Sequence, residues 1–177
     1  MEPSSEFHGR IDRFLMELRA SLQGVNIEDY QAFREALEDA RRVAVFGIGR
    51  CGEILRTFAS GLTRSGRRVD VMFTPSAQSL DDQDLLLLAS TSGKHAALAA
   101  LAEEAGREGV SLAVITATAL SPLSRLANVR IVLPPLLLEG EVSPAEMLRP
   151  LGLRFEQALL LVLDALALDL EEKGRLG

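Results

Sequence analysis

The chain has too few sulfur and imidazole side chains to build a covalently stapled or metal-centred core. Its single cysteine, Cys51, excludes an internal disulfide and any multi-cysteine metal site, and only two histidines, His8 and His95, occur in 177 residues. It also lacks a long apolar run. The most apolar stretch, residues 158–170, is interrupted by Asp164 and Asp169 and falls short of the roughly 20 residues that span a bilayer, so no membrane association is expected and the stretch reads as a buried helix. The opening Met1-Glu2-Pro3-Ser4-Ser5-Glu6 has neither the basic nor the apolar region of a secretory signal, so a cytoplasmic location is expected. An excess of positive charge is missing too. A formal charge of −6 argues against a nucleic-acid partner, although a basic pocket can sit inside an acidic protein. Internal repeats and low-complexity tracts are absent.

What is present suits a packed domain. With 47% hydrophobic and 25% charged residues the chain has ample material for a core and none of the signature of disorder. Its length fits one domain, 1–177, read as a helical pair at 1–41 followed by an α/β core at 42–177 that ends in a helix. Phe7, Ile11, Phe14, Leu15, Leu18 and Leu22 recur at three- and four-residue spacing, predicting an amphipathic helix over 5–22 that Gly24 ends. Asn26 is the expected N-cap of a second helix running to about residue 40, with Ile27, Tyr30, Phe33 and Leu37 on one stripe. This pair is expected to pack on the core or on another subunit.

From Arg42 onward strands and helices alternate. Strands are expected at 43–46, 69–72, 85–89, 112–115 and 129–133, and helices at 51–64, 94–107, a short one opening at Ser121-Pro122, and 150–173. Nearly all-apolar strands separated by helices mean a parallel sheet covered on both faces. Right-handed crossovers then give a doubly wound, flavodoxin-like three-layer α/β/α sandwich, whose ligands sit beyond the carboxyl ends of the strands. The stretch 134–144 is the one long irregular connection, a loop over the site or a spacer.

Two turns at strand ends carry the chemistry. In Ser90-Thr91-Ser92-Gly93-Lys94 three hydroxyls can donate hydrogen bonds, Gly93 permits close backbone approach, and the next helix begins at the same spot. An anion there gains about 0.3–1 kcal/mol from the helix end. An ordinary serine-capped helix has the same outline. A second such turn, Gly47-Ile48-Gly49-Arg50-Cys51-Gly52, favours the phosphate cradle. That turn nominally satisfies the dinucleotide pattern, since Gly52 follows Gly49 by three. The acid that should end the second strand instead lies inside it, as Asp70, so nucleotide binding stands as the minor alternative. Arg64, Arg67 and Arg68 form the one tight basic cluster and read as a solvated helix end.

Residues 42–177 resemble the sugar isomerase (SIS) family of phosphosugar-binding domains, and within it the 6-phospho-3-hexuloisomerases. The resemblance is carried by Val45-Phe46-Gly47-Ile48-Gly49-Arg50-Cys51-Gly52, similar to a strand followed by Gly-x-Gly-Arg-Ser-Gly. Ser90-Thr91-Ser92-Gly93 is similar to a Ser-Gly-Ser-Gly turn, and Pro150-Leu151-Gly152 with Phe155-Glu156 to a Pro-Leu-Gly-x-x-Phe-Glu helix entry. Leu112-Ala113-Val114-Ile115-Thr116 and Ser121-Pro122-Leu123 fit between. The resemblance implies a five-stranded parallel sheet, a sugar phosphate as ligand, no metal or organic cofactor, and a homodimer or homotetramer whose subunits complete each other's sites. It implies phosphate contacts from Ser90, Thr91, Ser92 and Gly93, substrate contacts from Gly47, Gly49, Arg50 and Cys51, and Glu156 as the general base.

Those residue types suit the reaction implied, interconversion of a 3-hexulose 6-phosphate and fructose 6-phosphate. A carbonyl moves between adjacent carbons through an enediol, and one carboxylate can take the proton and return it. With its helix starting at Pro150, Glu156 would sit one turn in, where helix-end charge complementarity also accounts for an acid.

The chain departs from the family pattern at several positions. Lys94 and His95 replace the usual Glu-Thr, so a hydroxyl ligand is gone and Lys94, in the first helical turn, is a candidate cation for the phosphate or a solvent-facing side chain. His95, at helix position two, is a candidate acid for ring opening, against a capping or solvent-facing role. Cys51 replaces a serine and donates hydrogen bonds more weakly, though at a helix start beside Arg50 its thiolate could be stabilised. Arg64 stands where a histidine is usual, and Met72-Phe73-Thr74-Pro75 replaces a segment of Gly-Glu-Thr type. These changes leave open a different class of function, a phosphosugar-binding sensor or regulatory protein without turnover.

Overall fold

The computed structural model describes residues 3–74, 79–134 and 144–176, with side chains for 6–74, 79–134 and 154–172. The elements are α1 (Pro3–Gln23), α2 (Ile27–Asp39), β1 (Arg42–Gly47), α3 (Arg50–Arg64), β2 (Val69–Val71), β3 (Asp84–Ser90), α4 (Ala96–Arg107), β4 (Ser111–Thr116), α5 (Pro122–Leu126), β5 (Val129–Val132) and α6 (Pro144–Leu176). Five parallel strands form one sheet in the order β2-β1-β3-β4-β5. The chain therefore reverses direction between β1 and β3, and in doubly wound sheets ligands bind at that crevice, beyond the carboxyl ends.

β3 explains why the sheet is covered on both sides. All seven of its residues are buried, and successive side chains point to opposite faces. Leu85, Leu87 and Ala89 join Val43, Val45, Leu55, Phe58, Leu62, Leu159, Leu163 and Leu166 under α3, α6 and α2. Leu86 and Leu88 join Ala44, Leu98, Ala102, Val114 and Leu123 under α4 and α5. Asn26 caps α2 as expected, its side chain accepting from the Asp29 N–H at 3.0 Å. Ser121 caps α5 in the same way, with Pro122 as the first helical residue.

Two expectations are corrected, and the packing of α1 on the core is partial within one chain. α6 starts at Pro144 instead of Pro150, because proline suits the first helical position and the chain offers that signal twice. α6 is also not buried all round: Leu159, Val162, Leu163 and Leu166 face the core, whereas Leu160, Leu161 and Leu168 are exposed. The apolar stripe of α1 is mostly uncovered as well. Leu18 and Leu22 pack on the core, but Phe7, Ile11, Phe14 and Leu15 face solvent, while Glu17 and Ser21 are buried. The connection expected at 134–144 lies, beyond Pro134 and up to residue 143, outside the described residues. No helix among the described residues is long and apolar enough to cross a membrane.

At the amino end of the sheet, opposite the crevice, the charges are paired. Arg42 binds Asp84, Asp70 at 3.1 Å and the Ser79 carbonyl at 2.7 Å. Arg41 reaches Asp84 at 2.9 Å and Asp81 at 2.6 Å. Asp70 is thus occupied by Arg42 and does not end its strand as a ribose-binding acid would, which leaves the dinucleotide pattern without its second half.

Candidate functional site

The first turn is set by two glycines in contact. A Cβ on Gly52 would stand 2.4 Å from the Gly47 carbonyl oxygen, and one on Gly47 would stand 2.9 Å from the Gly52 nitrogen. Only two residues without side chains let α3 begin this close to the end of β1. Gly49 supplies the turn with φ +60° as N-cap. Arg50 and Cys51 are consequently the first two residues of α3, at the carboxyl rim of the sheet.

The second turn is knitted to its neighbour. The Gly93 N–H donates to Ser90 Oγ at 3.1 Å, and the Lys94 N–H donates to Ser92 Oγ at 3.3 Å. Because both hydroxyl oxygens accept these bonds, their O–H groups keep their protons to donate elsewhere. The Thr91 carbonyl accepts from the Ala117 N–H at 3.2 Å and from Thr116 Oγ1 at 3.3 Å, and the Gly93 carbonyl accepts from the Leu123 N–H at 3.1 Å. Gly93 has φ +59°, and a Cβ there would stand 2.1 Å from Ser121 Oγ, the hydroxyl that caps α5. Gly93→Ala must therefore strain the backbone and displace the cap. We expect it to lower stability by about 1–3 kcal/mol, read as a fall in the denaturant midpoint at unchanged slope.

The third component comes from α6. Glu156 lies about three helical turns inside α6, so helix-end complementarity does not account for its charge; its side chain is only 13% exposed. Its Oε2 is buried and lies 2.5 Å from Arg50 Nε, an ion pair rather than a directional hydrogen bond. Cys51 is near enough to feel the charge of the same carboxylate. Burial pushes the Cys51 thiol up from its ordinary value and the negative charge of Glu156 pushes it further, against the opposing pull of hydrogen bonds to Thr91. The expected stabilised thiolate is thereby corrected: the thiol is buried and faces an anion. Arg50, Cys51, Thr91 and Glu156 thus link both turns and the last helix. Two residues before Glu156, Arg154 Nε lies 2.5 Å from Glu17 Oε2, which ties this part of α6 to α1.

Other expected site residues are placed differently. Ser90 is buried under its turn, while Ser92 and Lys94 are exposed. α4 begins at Ala96, so Lys94 precedes the helix and His95 is its N-cap instead of its second residue. The His95 side chain makes no capping bond, and its carbonyl accepts from the Leu98 and Ala99 N–H groups. Arg64 sits exposed in the last turn of α3. The side chains of Pro150, Leu151 and Gly152 lie outside the described residues. Sequence reasoning missed Thr116 and Ser121 as supports of the second turn. The Ser121-Pro122 pair was the available signal, but it marks a helix start and says nothing of what the serine packs against.

Comparison with known proteins places this arrangement. Residues 36–136, more than half of the chain, match the SIS domain family. The 3-hexulose-6-phosphate isomerase of Mycobacterium gastri is 34% identical over 124 residues, covering 70% of this chain and 62% of the relative. The protein of the same name from Bacillus subtilis is 26% identical over 163 residues, covering 92% and 88%. Among solved structures, a hypothetical protein superposes with a TM-score of 0.83 at 26% identity, covering 93% of this chain and 90% of that one. A hypothetical protein of Methanococcus jannaschii, with an inferred function of 3-hexulose-6-phosphate isomerase, superposes with a TM-score of 0.76 at 22% identity, covering 91% and 90%. An E. coli protein in complex with a phosphosugar does so with a TM-score of 0.77 at 19% identity, covering 99% and 94%.

Proposed function

The chain belongs to the SIS domain family, and from that premise we propose that it is a phosphosugar isomerase interconverting a 3-hexulose 6-phosphate and fructose 6-phosphate. The observation that carries this reading is the convergence of one secluded carboxylate with two turns suited to an anion. In the proposed site the hydroxyls of Ser90, Thr91 and Ser92, with the backbone at Gly93, hold the phosphate. The N–H groups of Ala96 and Ala97, which open α4 ahead of those bonded to the His95 carbonyl, add further donors. Gly47, Gly49 and Cys51 line the sugar. Glu156 removes the proton beside the carbonyl and returns it to the neighbouring carbon, and its protonated form never needs to leave the site.

Arg50 has two partners in this scheme. Its side chain is 61% exposed and pairs with Glu156. The phosphate of a substrate would offer the guanidinium a second, dianionic partner beside the base. Lys94, exposed in the second turn, adds positive charge there, and His95 is the candidate acid for ring opening. The names of the relatives and the phosphosugar bound in the E. coli structure support the substrate class. A homodimer or homotetramer is the proposed assembly, because the uncovered stripe of α1 and a groove lined by Leu15, Leu18, Leu22 and Leu161 give subunits an apolar surface to share.

A second reading, a phosphosugar sensor without turnover, is favoured by the exposed Lys94 and His95 where the family pattern has Glu-Thr. Both readings require binding. Fructose 6-phosphate at about 100 times its dissociation constant should add about 2.7 kcal/mol, which raises the melting temperature by roughly 5–10 °C for a chain of this size. Fructose without the phosphate should give no rise. A flat response to every sugar phosphate would contradict both readings.

A further inference from the structure

Phe73 is the one large residue among those described whose backbone is strained and whose side chain is also left in water. Its φ of +60° lies in the left-handed region, and it is the only non-glycine residue there among those described. For a bulky aromatic residue that conformation is an outlier, and such strain persists only where the surrounding structure imposes it. The imposing contacts are visible. The Met72 N–H donates to the Val45 carbonyl at 3.1 Å, holding the chain beside β1 one residue past the end of β2. Thr74 Oγ1 donates to the Val71 carbonyl at 2.8 Å and closes the turn.

The strain is not compensated by burial. Phe73 is 71% exposed, and its ring meets Phe46 edge-on, with centroids 4.9 Å apart and an interplanar angle of 72°. Phe46 is half-buried against the core face under α4, and it is the last residue before Gly47 and the first turn of the site. Phe73 follows the carboxyl end of β2, which pairs with β1, so the exposed ring stands at the same rim of the sheet as the first turn. The turn contacts hold the backbone, but nothing among the described contacts other than Phe46 covers the ring.

We propose that Phe73 is a specificity-determining residue of the candidate site, an aromatic wall that stacks on the C–H face of the bound hexose phosphate. This rests on the phosphosugar reading and adds the sugar-facing surface to it. The hydroxyl turn grips the phosphate and carries no information about the carbon skeleton. A ring face is attracted to the weakly positive C–H groups of a sugar and excludes water from them. Loss of the ring should therefore weaken binding of the whole hexose phosphate and leave binding of inorganic phosphate alone unchanged.

The test is calorimetric titration of wild type, Phe73→Ala, Phe73→Tyr and Phe73→Gly with fructose 6-phosphate and with inorganic phosphate, alongside sedimentation of each free protein. Phe73→Ala should weaken fructose 6-phosphate binding about 5–10-fold, Phe73→Tyr should keep wild-type affinity, and inorganic phosphate should bind all four alike. Phe73→Gly should melt no lower than wild type, because glycine accepts the positive φ. Unchanged fructose 6-phosphate affinity in Phe73→Ala would overturn the inference, as would an equal loss for both ligands. A changed sedimentation coefficient with unchanged affinity would overturn it too and assign the ring to a subunit contact. If wild type binds neither ligand, the phosphosugar reading itself falls, a result distinct from a bound ligand that ignores Phe73.

Discussion

Glu156→Gln should lower the rate of hexulose 6-phosphate conversion by about 10²–10⁴-fold, the usual contribution of one general acid–base group, while fructose 6-phosphate still binds. The amide has the shape of the carboxylate and fills the same space beside Arg50, so the two turns should keep their positions. It cannot accept a proton from carbon. The lost ion pair costs little stability, because Arg50 is largely exposed and returns to water. A guanidinium no longer held by Glu156 is also more available to the phosphate, so affinity should hold or rise. The effect therefore belongs in kcat, the pattern expected when an interaction made only in the transition state is removed. Glu156→Asp, shorter by one methylene, should fall between the two. Equal losses in kcat and in binding would show that Glu156 supports the site without serving as its base.

Asp84→Ala should have the largest effect on stability. Asp84 is 1% exposed and accepts hydrogen bonds from Arg42, from Arg41 and from the Asp81 N–H. Removing one partner of a buried ion pair leaves the other charge uncompensated, which costs about 3–5 kcal/mol. Here the remaining charge is mainly Arg42, itself 9% exposed, whose bonds to Asp70 and the Ser79 carbonyl do not replace the lost buried carboxylate. Denaturant unfolding at neutral pH checks the size. Asp84→Asn keeps one acceptor and the side-chain volume, so its loss should be smaller.

The acid limb supplies a second check. Burial pushes the Asp84 carboxyl up, but its bonds to Arg42, Arg41 and the Asp81 N–H outweigh that and hold it below the usual carboxylate range. A group lowered on folding contributes its full stability above its unfolded value of about 3.9 and loses it as pH falls through the folded one. Wild type should therefore lose stability steeply below about pH 4, and Asp84→Asn should show a shallower loss across the same window. The network lies at the amino end of the sheet, so the molecules of Asp84→Asn that remain folded should bind fructose 6-phosphate as wild type does. Stability and function are thereby separable in this chain.

The fold was legible because its signals are local. Apolar strands of four to seven residues, bounded by glycine, serine or charge, mark β1, β3, β4 and β5 to within a residue or two, and Asn26 and Ser121 mark helix starts by their own side chains. The start of α6 was misplaced because Pro144 and Pro150 carry the same signal. The uncovered stripe of α1 shows the limit of periodicity, which tells which residues share a face but not what covers it. Of the site, the two turns were visible as strings of glycine and hydroxyl residues. Glu156 was not readable from its own surroundings in the chain; only resemblance pointed to it, because its partners Arg50 and Cys51 come from a distant turn. The Arg42–Asp84 pair and the position of Phe73 were invisible for the same reason: neither a buried charge nor an exposed ring is announced by spacing.

The central claim is that Glu156 exchanges a proton with a carbon of a phosphosugar held by the two turns. In fructose 6-phosphate that carbon is C3, since forming the 2,3-enediol removes its hydrogen. Proton NMR of fructose 6-phosphate incubated in D2O reads the exchange directly. With wild type the C3 proton signal should disappear while the C4 and C5 signals persist, and with Glu156→Gln it should remain. A C3 signal that survives wild type under conditions where fructose 6-phosphate is bound, or that disappears equally with Glu156→Gln, would contradict the account.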